Sequence, residues 1–402
     1  MTMLPVDQAL AKILEGVRPK NAETVPLAEA SGRVLAKPIA ALRTQPPFPA
    51  SAMDGYAVRA ADLASVPARL RVIGEAPAGA PFAGDVAPGE TVRIFTGAPV
   101  PDGADAVLIQ ENTNRIDAMT VEATETVAVG KNIRRAGLDF REGEALLDTG
   151  RVLDPAALSL AAAANHATLP VVARALVAII ATGDELLPPG SADIGPGQII
   201  ASNSFGVAAL AKNTGADILD LGIAPDRAEA IAALVQQALA AKADVIVTLG
   251  GASVGDHDLI HEVLTGEGMT LDFWKIAMRP GKPLMFGRLG AARVIGLPGN
   301  PVSTLVCSTL FLKPLLARLG GLSVQPEIRE AKLAAPMPEN DTRQDYVRAA
   351  IVENGGDPSV TPFTTQDSSM LKVFAEANGL VIRAPFAPAA AAGETVRVLM
   401  LR

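Results

Sequence analysis

Hydrophobic positions change their spacing four times along this 402-residue chain. Near the start, Val6, Leu10, Ile13, Leu14 and Val17 recur at helical intervals, so residues 5–45 read as mainly helical, with a second helix beginning between Ser31 and Ala36. Pro46-Pro47-Phe48-Pro49 breaks that pattern. From Ser51 to about Arg141, short alternating runs between Gly and Pro turns predict a small β unit: Leu70–Ile73, Glu90–Ile94, Ala106–Ile109 and Val121–Val127. Residues 145–172 return to helix, with Asp154 as N-cap and Pro155 in the first helical position.

From residue 175 the pattern is strand, helix, strand. Leu176–Ile180, Asp217–Gly222 and Asp244–Leu249 are apolar enough to be buried parallel strands. A helix from about Ser204 to Gly215 and an Ala-rich helix capped by Asp226 and running to Ala241 separate them. Leu271–Met278, Leu284–Arg288 and Val294–Leu297 are further strands, and a long helix runs from Asn300-Pro301 to Gly320-Gly321. This describes a doubly wound α/β region. After Pro326 the reading is β again: Ile328–Ala334, Tyr346–Val352, Leu380–Arg383 and Thr395–Leu401.

Length alone predicts two to four domains. Aromatic residues make up 3% and the formal net charge is −8, which disfavours nucleic acid and acidic membranes as partners. An anionic ligand therefore needs a local basic pocket. The single cysteine, Cys307, excludes an internal disulfide and suits a reducing compartment. The N-terminal sequence has no signal-peptide pattern, and the apolar stretch 156–181 is interrupted by Asn165, His166, Pro170 and Arg174, so no membrane span is expected there. The expected location is the cytoplasm.

The chemistry concentrates beyond the strand ends. The third strand runs into Gly250-Gly251-Ala252-Ser253-Val254-Gly255-Asp256-His257-Asp258. Strand, glycine turn and helix present bare N–H groups to a phosphate. Carboxylates in the same turn repel phosphate unless a cation lies between, which points to Mg²⁺. Thr182-Gly183-Asp184-Glu185, Pro225-Asp226 and Leu297-Pro298-Gly299-Asn300-Pro301 end neighbouring strands. The basic pocket is Lys275, Arg279, Lys282 and Arg288, held by the turn Arg279-Pro280-Gly281-Lys282-Pro283. The glycine pattern is not G-x-G-x-x-G, and Gly281-Lys282 is followed by Pro283, so neither a dinucleotide fingerprint nor a P-loop is present. His257 and His261 share a helix face, but no third N or S ligand for zinc accompanies them.

Seven segments in order resemble the MoeA-type molybdopterin molybdenumtransferase family, which includes the C-terminal part of gephyrin. They are SAMDGYAV at 51–58, TGAPVP at 96–101, IRRAGLD at 133–139, TGDEL at 182–186, GGASVGDHD at 250–258, RPGKP at 279–283 and LPGNPVS at 297–303. The resemblance implies four parts: a discontinuous helical linker (1–45 and 142–174), an inserted β domain (46–141), an α/β molybdopterin-binding domain (175–321) and a C-terminal β-barrel (326–402). It also implies a homodimer, with sites shared between subunits.

The implied reaction inserts molybdenum from molybdate into adenylylated molybdopterin, with Mg²⁺-dependent pyrophosphate cleavage and release of AMP. Carried over by motif, the implied catalytic set is Asp54, Asp139, Glu185, Asp226, Asp258, Lys275 and Arg279. The implied ligand-binding set is Thr96, Gly250, Gly251, Ser253, Gly255, Lys282, Pro283, Ser303, Arg348 and Ser368. The Mg²⁺ set is Glu185, Asp226, Asp256 and Asp258. The family usually carries Lys where this chain has Arg279, exchanging a point charge for a planar fork. The molybdopterin adenylyltransferase that delivers substrate is the implied protein partner. A non-catalytic dimeric scaffold and an adenylyltransferase activity are the alternatives. The second resembles only 175–320.

Overall fold

A computed structural model describes residues 3–250, 259–323, 326–353 and 355–401. It divides into two compact units. One comprises Met1–Glu23, Gly32–Ala36 and Val171–Arg402; the other comprises Thr24–Ser31 and Lys37–Pro170.

The larger unit carries a six-stranded sheet in the order Asp217–Ala224, Leu176–Thr182, Val245–Leu249, Ala292–Leu297, Met285–Leu289, Thr270–Phe273. The first four strands are parallel and the last two join antiparallel. Alternation along each strand sends side chains to both faces. Val177 and Ile179 enter one core with Val207, Val302 and Phe311, whereas Ala178 and Ile180 enter another with Ile231, Val235 and Leu264. Both faces are therefore covered by helices, as a doubly wound sheet requires. The helix Val6–Leu14 buries Ala9 and Ile13 in the first of these cores.

Among the described residues one helix, Pro301–Leu319, is long and apolar enough to cross a membrane, but it is largely buried in this core. Its first turn begins at Pro301, and the stretch Ser308–Leu312 is wound as a π-helix. Cys307 lies fully buried in it, and desolvation pushes its thiol pKa up, so it packs as an apolar residue.

The C-terminal strands form a closed five-stranded barrel: Gln344–Val352, Ser359–Pro362, Ile328–Leu333, Thr395–Met400, Gly379–Arg383 and back to Gln344–Val352. Sequence periodicity missed Ser359–Pro362, which is four residues long and ends in Pro, and the six-residue helix Leu371–Glu376. The expected single strand Leu271–Met278 is in fact two. Thr270–Phe273 closes the α/β sheet, while Met278–Arg279 pairs in parallel with Gln344–Asp345 of the barrel. The break is fixed by Leu4, whose N–H donates to Lys275 O and whose carbonyl accepts from Ala277 N.

The smaller unit holds a second six-stranded sheet in the order Ala106–Ile109, Gly55–Val58, Glu90–Ile94, Ala68–Ala76, Thr120–Ala123, Thr113–Arg115. Gly55 is required there because a Cβ would overlap the Leu108 carbonyl on the adjoining strand. The helix Pro155–Ala163 starts as the sequence predicts, with the Asp154 carboxylate accepting from Ala157 N at 2.8 Å. Helix from 145 to 172 is not otherwise continued, since Thr168–Val172 is a strand. No helix begins between Ser31 and Ala36: Gly32 adopts φ +71° and Leu35 bridges antiparallel to Val171.

Candidate active site

In the larger unit the chain leaves strand Leu176–Thr182 on one side and returns on the other through Val245–Leu249. A ligand crevice is expected beyond the carboxyl ends of two such strands. A cavity of ≈ 830 Å³ opens there. Thr182, Gly183 and Glu185 line it from the first strand end, Asp226 from the second and Gly250 from the third. Pro283 and Ser303 also line it, as do Ser202, Asn203, Asn300 and Ser369.

Glycine makes this rim possible. Gly183 has φ +145°, and a Cβ there would overlap the Glu185 carboxylate, which folds back over the turn. Gly250 has φ +94°, and its Cβ would lie 2.8 Å from Thr182 O. The Asp226 N–H donates to Asp184 Oδ1 at 3.1 Å, which ties two strand ends together. The Ala-rich helix begins at Ala228 with no side-chain cap, so Asp226 is not the capping residue that the sequence predicted. Its carboxylate belongs to the cavity rim instead.

Spacing did not single out Asn203 or Asn300. Asn203 Nδ2 donates to Gly299 O at 2.7 Å, and Asn300 Nδ2 donates to Ser368 Oγ at 2.9 Å. The available signal was Ser202-Asn203-Ser204, a small polar cluster opening a helix. Among the described residues, the buried Thr182 hydroxyl has no hydrogen-bond partner.

Ser368 is fastened to the same helix start, because its carbonyl accepts from Val302 N at 3.0 Å. The loop carrying it reaches back to Arg348, on barrel strand Gln344–Val352. Arg348 is 1% exposed, and no carboxylate among the described residues lies within ion-pair distance. Its guanidinium is held by Gln366 Oε1 and by the Asp367 carbonyl. Burial pulls its pKa down, with the charge of Asp367 opposing. Desolvating an unpaired cation is costly, and an arriving anion relieves that cost.

The basic turn divides. Lys275 and Lys282 flank a short loop in which Ile276 N donates to Lys282 O at 3.0 Å. Arg279 is committed elsewhere. Its Nε donates to Asp345 Oδ2 at 3.0 Å, Nη2 contacts the same oxygen, and Nη1 reaches Asp341 Oδ2 at 3.2 Å. Arg279 lines a separate cavity of ≈ 390 Å³ at the barrel mouth. The hydrogen bond to Asp345 raises the Arg279 pKa, and burial pushes the Asp345 carboxyl up despite its partner. Arg288 pairs with Glu15 and Asp272.

In the smaller unit, Asp54 Oδ1 accepts from Thr96 N at 2.7 Å and from Thr96 Oγ1 at 2.8 Å. The Thr96 N–H, first, and its hydroxyl, second, hold the Asp54 carboxyl below its ordinary range. Arg93 stacks over Tyr56 and Phe95, with its guanidinium carbon 5.0 and 5.1 Å from the two ring centroids. Asp139 is exposed, and its N–H donates to Gln45 O at 3.1 Å.

The remaining predicted residues, Gly251, Ser253, Gly255, Asp256 and Asp258, lie outside the described residues, as does His257. His261 stacks on Trp274 at 4.6 Å between ring centroids. Among the described residues, no group of three His, Cys, Asp or Glu side chains is placed to hold a metal. Glu185 and Asp226 are the two predicted carboxylates that share a rim.

Known proteins account for the whole chain. Residues 4–165 match the MoeA N-terminal region (domain I and II), residues 178–318 a probable molybdopterin binding domain, and residues 330–401 the MoeA C-terminal region (domain IV). A protein of Haemophilus influenzae named molybdopterin molybdenumtransferase is 36% identical over 401 residues, covering 98% of both chains. One of the same name from Bacillus subtilis is 34% identical over 410 residues, covering 100% of this chain and 95% of the relative. The crystal structure of a molybdopterin biosynthesis MoeA protein from Pyrococcus horikosii superposes with a TM-score of 0.84 at 30% identity, with both chains covered in full. With three consecutive regions and full-length relatives in agreement, this chain belongs to the MoeA family.

Proposed function

We propose that this chain is a molybdenumtransferase of molybdenum cofactor biosynthesis. It takes adenylylated molybdopterin and molybdate, delivers the metal to the pterin and releases AMP. The observation that carries the reading is the ≈ 830 Å³ cavity, where Glu185, Asp226, Gly250 and Ser303 meet at the switch point of the α/β sheet. Such a crevice suits a phosphorylated ligand, with glycine backbone at its edge.

Two oxygen donors on one rim, Glu185 and Asp226, match a hard cation that keeps several waters and takes its other ligands from substrate phosphates. Mg²⁺ fits that description, and it would supply charge neutralisation at the cleaved linkage. The chain's own groups position the substrate. Asn203 and Asn300 are both tied to the Pro298–Pro301 turn and keep that rim rigid. Lys275 and Lys282 supply positive charge near the pyrophosphate, and Arg348, Ser303 and Ser368 receive the molybdate dianion. Asp54 and Asp139 act on the metal-transfer side. The active form is a homodimer in the cytoplasm, supplied by the adenylyltransferase that makes its substrate.

The test is AMP release from adenylylated molybdopterin with Mg²⁺ and molybdate. The chain is expected to accelerate it, and Asp226→Asn to slow it about tenfold or more. Release at the rate without protein would refute the reading, and an unaltered Asp226→Asn would remove that residue from the site. The same preparation is expected to sediment as two 41.3 kDa chains; a single chain would refute the dimer.

A further inference from the structure

Arg348 is a buried cation with no carboxylate partner among the described residues, and one side chain largely determines its orientation. Gln366 makes four hydrogen bonds around it. Gln366 Oε1 accepts from Arg348 N at 3.0 Å and from Arg348 Nε at 3.1 Å. Gln366 Nε2 donates to Arg348 O at 3.0 Å and to Phe363 O at 2.8 Å. The amide thus pairs with the backbone of residue 348 as a neighbouring strand would, and grips the guanidinium with the same oxygen.

The Asp367 carbonyl takes Nη1 at 2.7 Å, and Nη2 makes no hydrogen bond among the described residues. The Asp367 carboxylate is engaged by Ser369. Asp367 Oδ1 accepts from Ser369 N at 2.8 Å and Ser369 Oγ at 2.6 Å and makes no ion pair with Arg348, although its charge partly offsets the burial. The loop ends at Ser368, whose hydroxyl takes the Asn300 amide at the cavity edge.

We propose that Gln366 is a positioning residue for oxyanion capture: it fixes the guanidinium of Arg348 so that Nη2 is left for a small tetrahedral dianion. This rests on the reading of Arg348 as an oxyanion ligand. A neutral amide is the group such a role requires. It satisfies the Nε donor without cancelling the charge, whereas a carboxylate in its place would compete with the anion.

Molybdate binding to the full-length chain, followed by calorimetry, tests the proposal alongside AMP binding and the KM for molybdate. Gln366→Leu is expected to weaken molybdate about tenfold or more and to leave AMP affinity unchanged, since a hydrogen bond to a charged group is being misdirected. Should Gln366→Leu lose the wild-type thermal transition, Gln366→Glu replaces it, with the same expected loss. In an Arg348→Ala background neither change should weaken molybdate further. Wild-type molybdate affinity in a folded Gln366 variant, with Arg348→Ala impaired, would overturn the positioning role. An equal further loss in the Arg348→Ala background would also overturn it. If Arg348→Ala alone binds molybdate normally, the oxyanion reading of Arg348 fails first, and the proposal with it.

Discussion

At the scale of single residues, the sequence marked candidate segments but did not reveal who bonds to whom. Asp54 and Thr96 stood out as members of separate turns 42 residues apart; the structure joins them through two hydrogen bonds. That pair makes a titration prediction. Asp54 is held below 3.8 chiefly by the Thr96 backbone N–H and secondly by its hydroxyl. The favourable interaction is therefore complete above the unfolded value and is lost only as pH falls through the lower folded one. Thr96→Val removes the hydroxyl and keeps the backbone donor, so the carboxyl should titrate closer to 3.8 without reaching it. Carbon-detected NMR of the Asp54 carboxyl checks this, and an unmoved midpoint would count against the hydroxyl. Arg279 gives the opposite lesson. Its spacing put it with Lys275 and Lys282, but its guanidinium is spent on Asp345 and Asp341, partners more than sixty residues ahead that no local pattern announces.

At the scale of elements, the parallel strands were legible because a strand buried on both faces reads as an unbroken apolar run. Leu176–Thr182 and Val245–Leu249 lie where such runs predict them. The failures share one cause: tertiary partners override local period. Ile276 and Met278 continue the apolar run begun at Leu271, but Leu4 captures the backbone between them and sends Met278–Arg279 to the barrel. The turn that follows depends on Gly281, at φ +106°, where a Cβ would overlap the Cys307 sulfur and crowd the Met278 methyl at 3.2 Å. Gly281→Ala therefore combines backbone strain with a clash inside a fully packed helix. A loss of about 1 kcal/mol or more in urea unfolding is expected. Unchanged stability would show that the turn and Cys307 tolerate separation. Because Lys282 adjoins Gly281, the same substitution should also weaken oxyanion binding.

At the scale of the molecule, the doubly wound sheet and the β-rich tail followed from the succession of periods alone. Closure of the barrel did not, because Ser359–Pro362 is too short to show alternation and pairs on both sides only in three dimensions. The position of the cavity was predictable from topology, since a switch point lies wherever the second strand of a parallel sheet falls to one side of the first and the third to the other. Its composition was half visible. Glu185, Asp226 and Gly250 came from strand ends, whereas Asn203 and Ser369 arrive from a helix start and a barrel loop. In the proposed function this crevice receives the nucleotide end of the substrate, with the metal oxyanion beside Arg348. A crystal structure of the chain soaked with AMP and molybdate tests it most directly. The AMP phosphate is expected among Gly250, Asn203 and Asn300, and molybdate within hydrogen-bond distance of Arg348. AMP bound away from Glu185 and Asp226, or molybdate at the Arg279 cavity with Arg348 untouched, would contradict it.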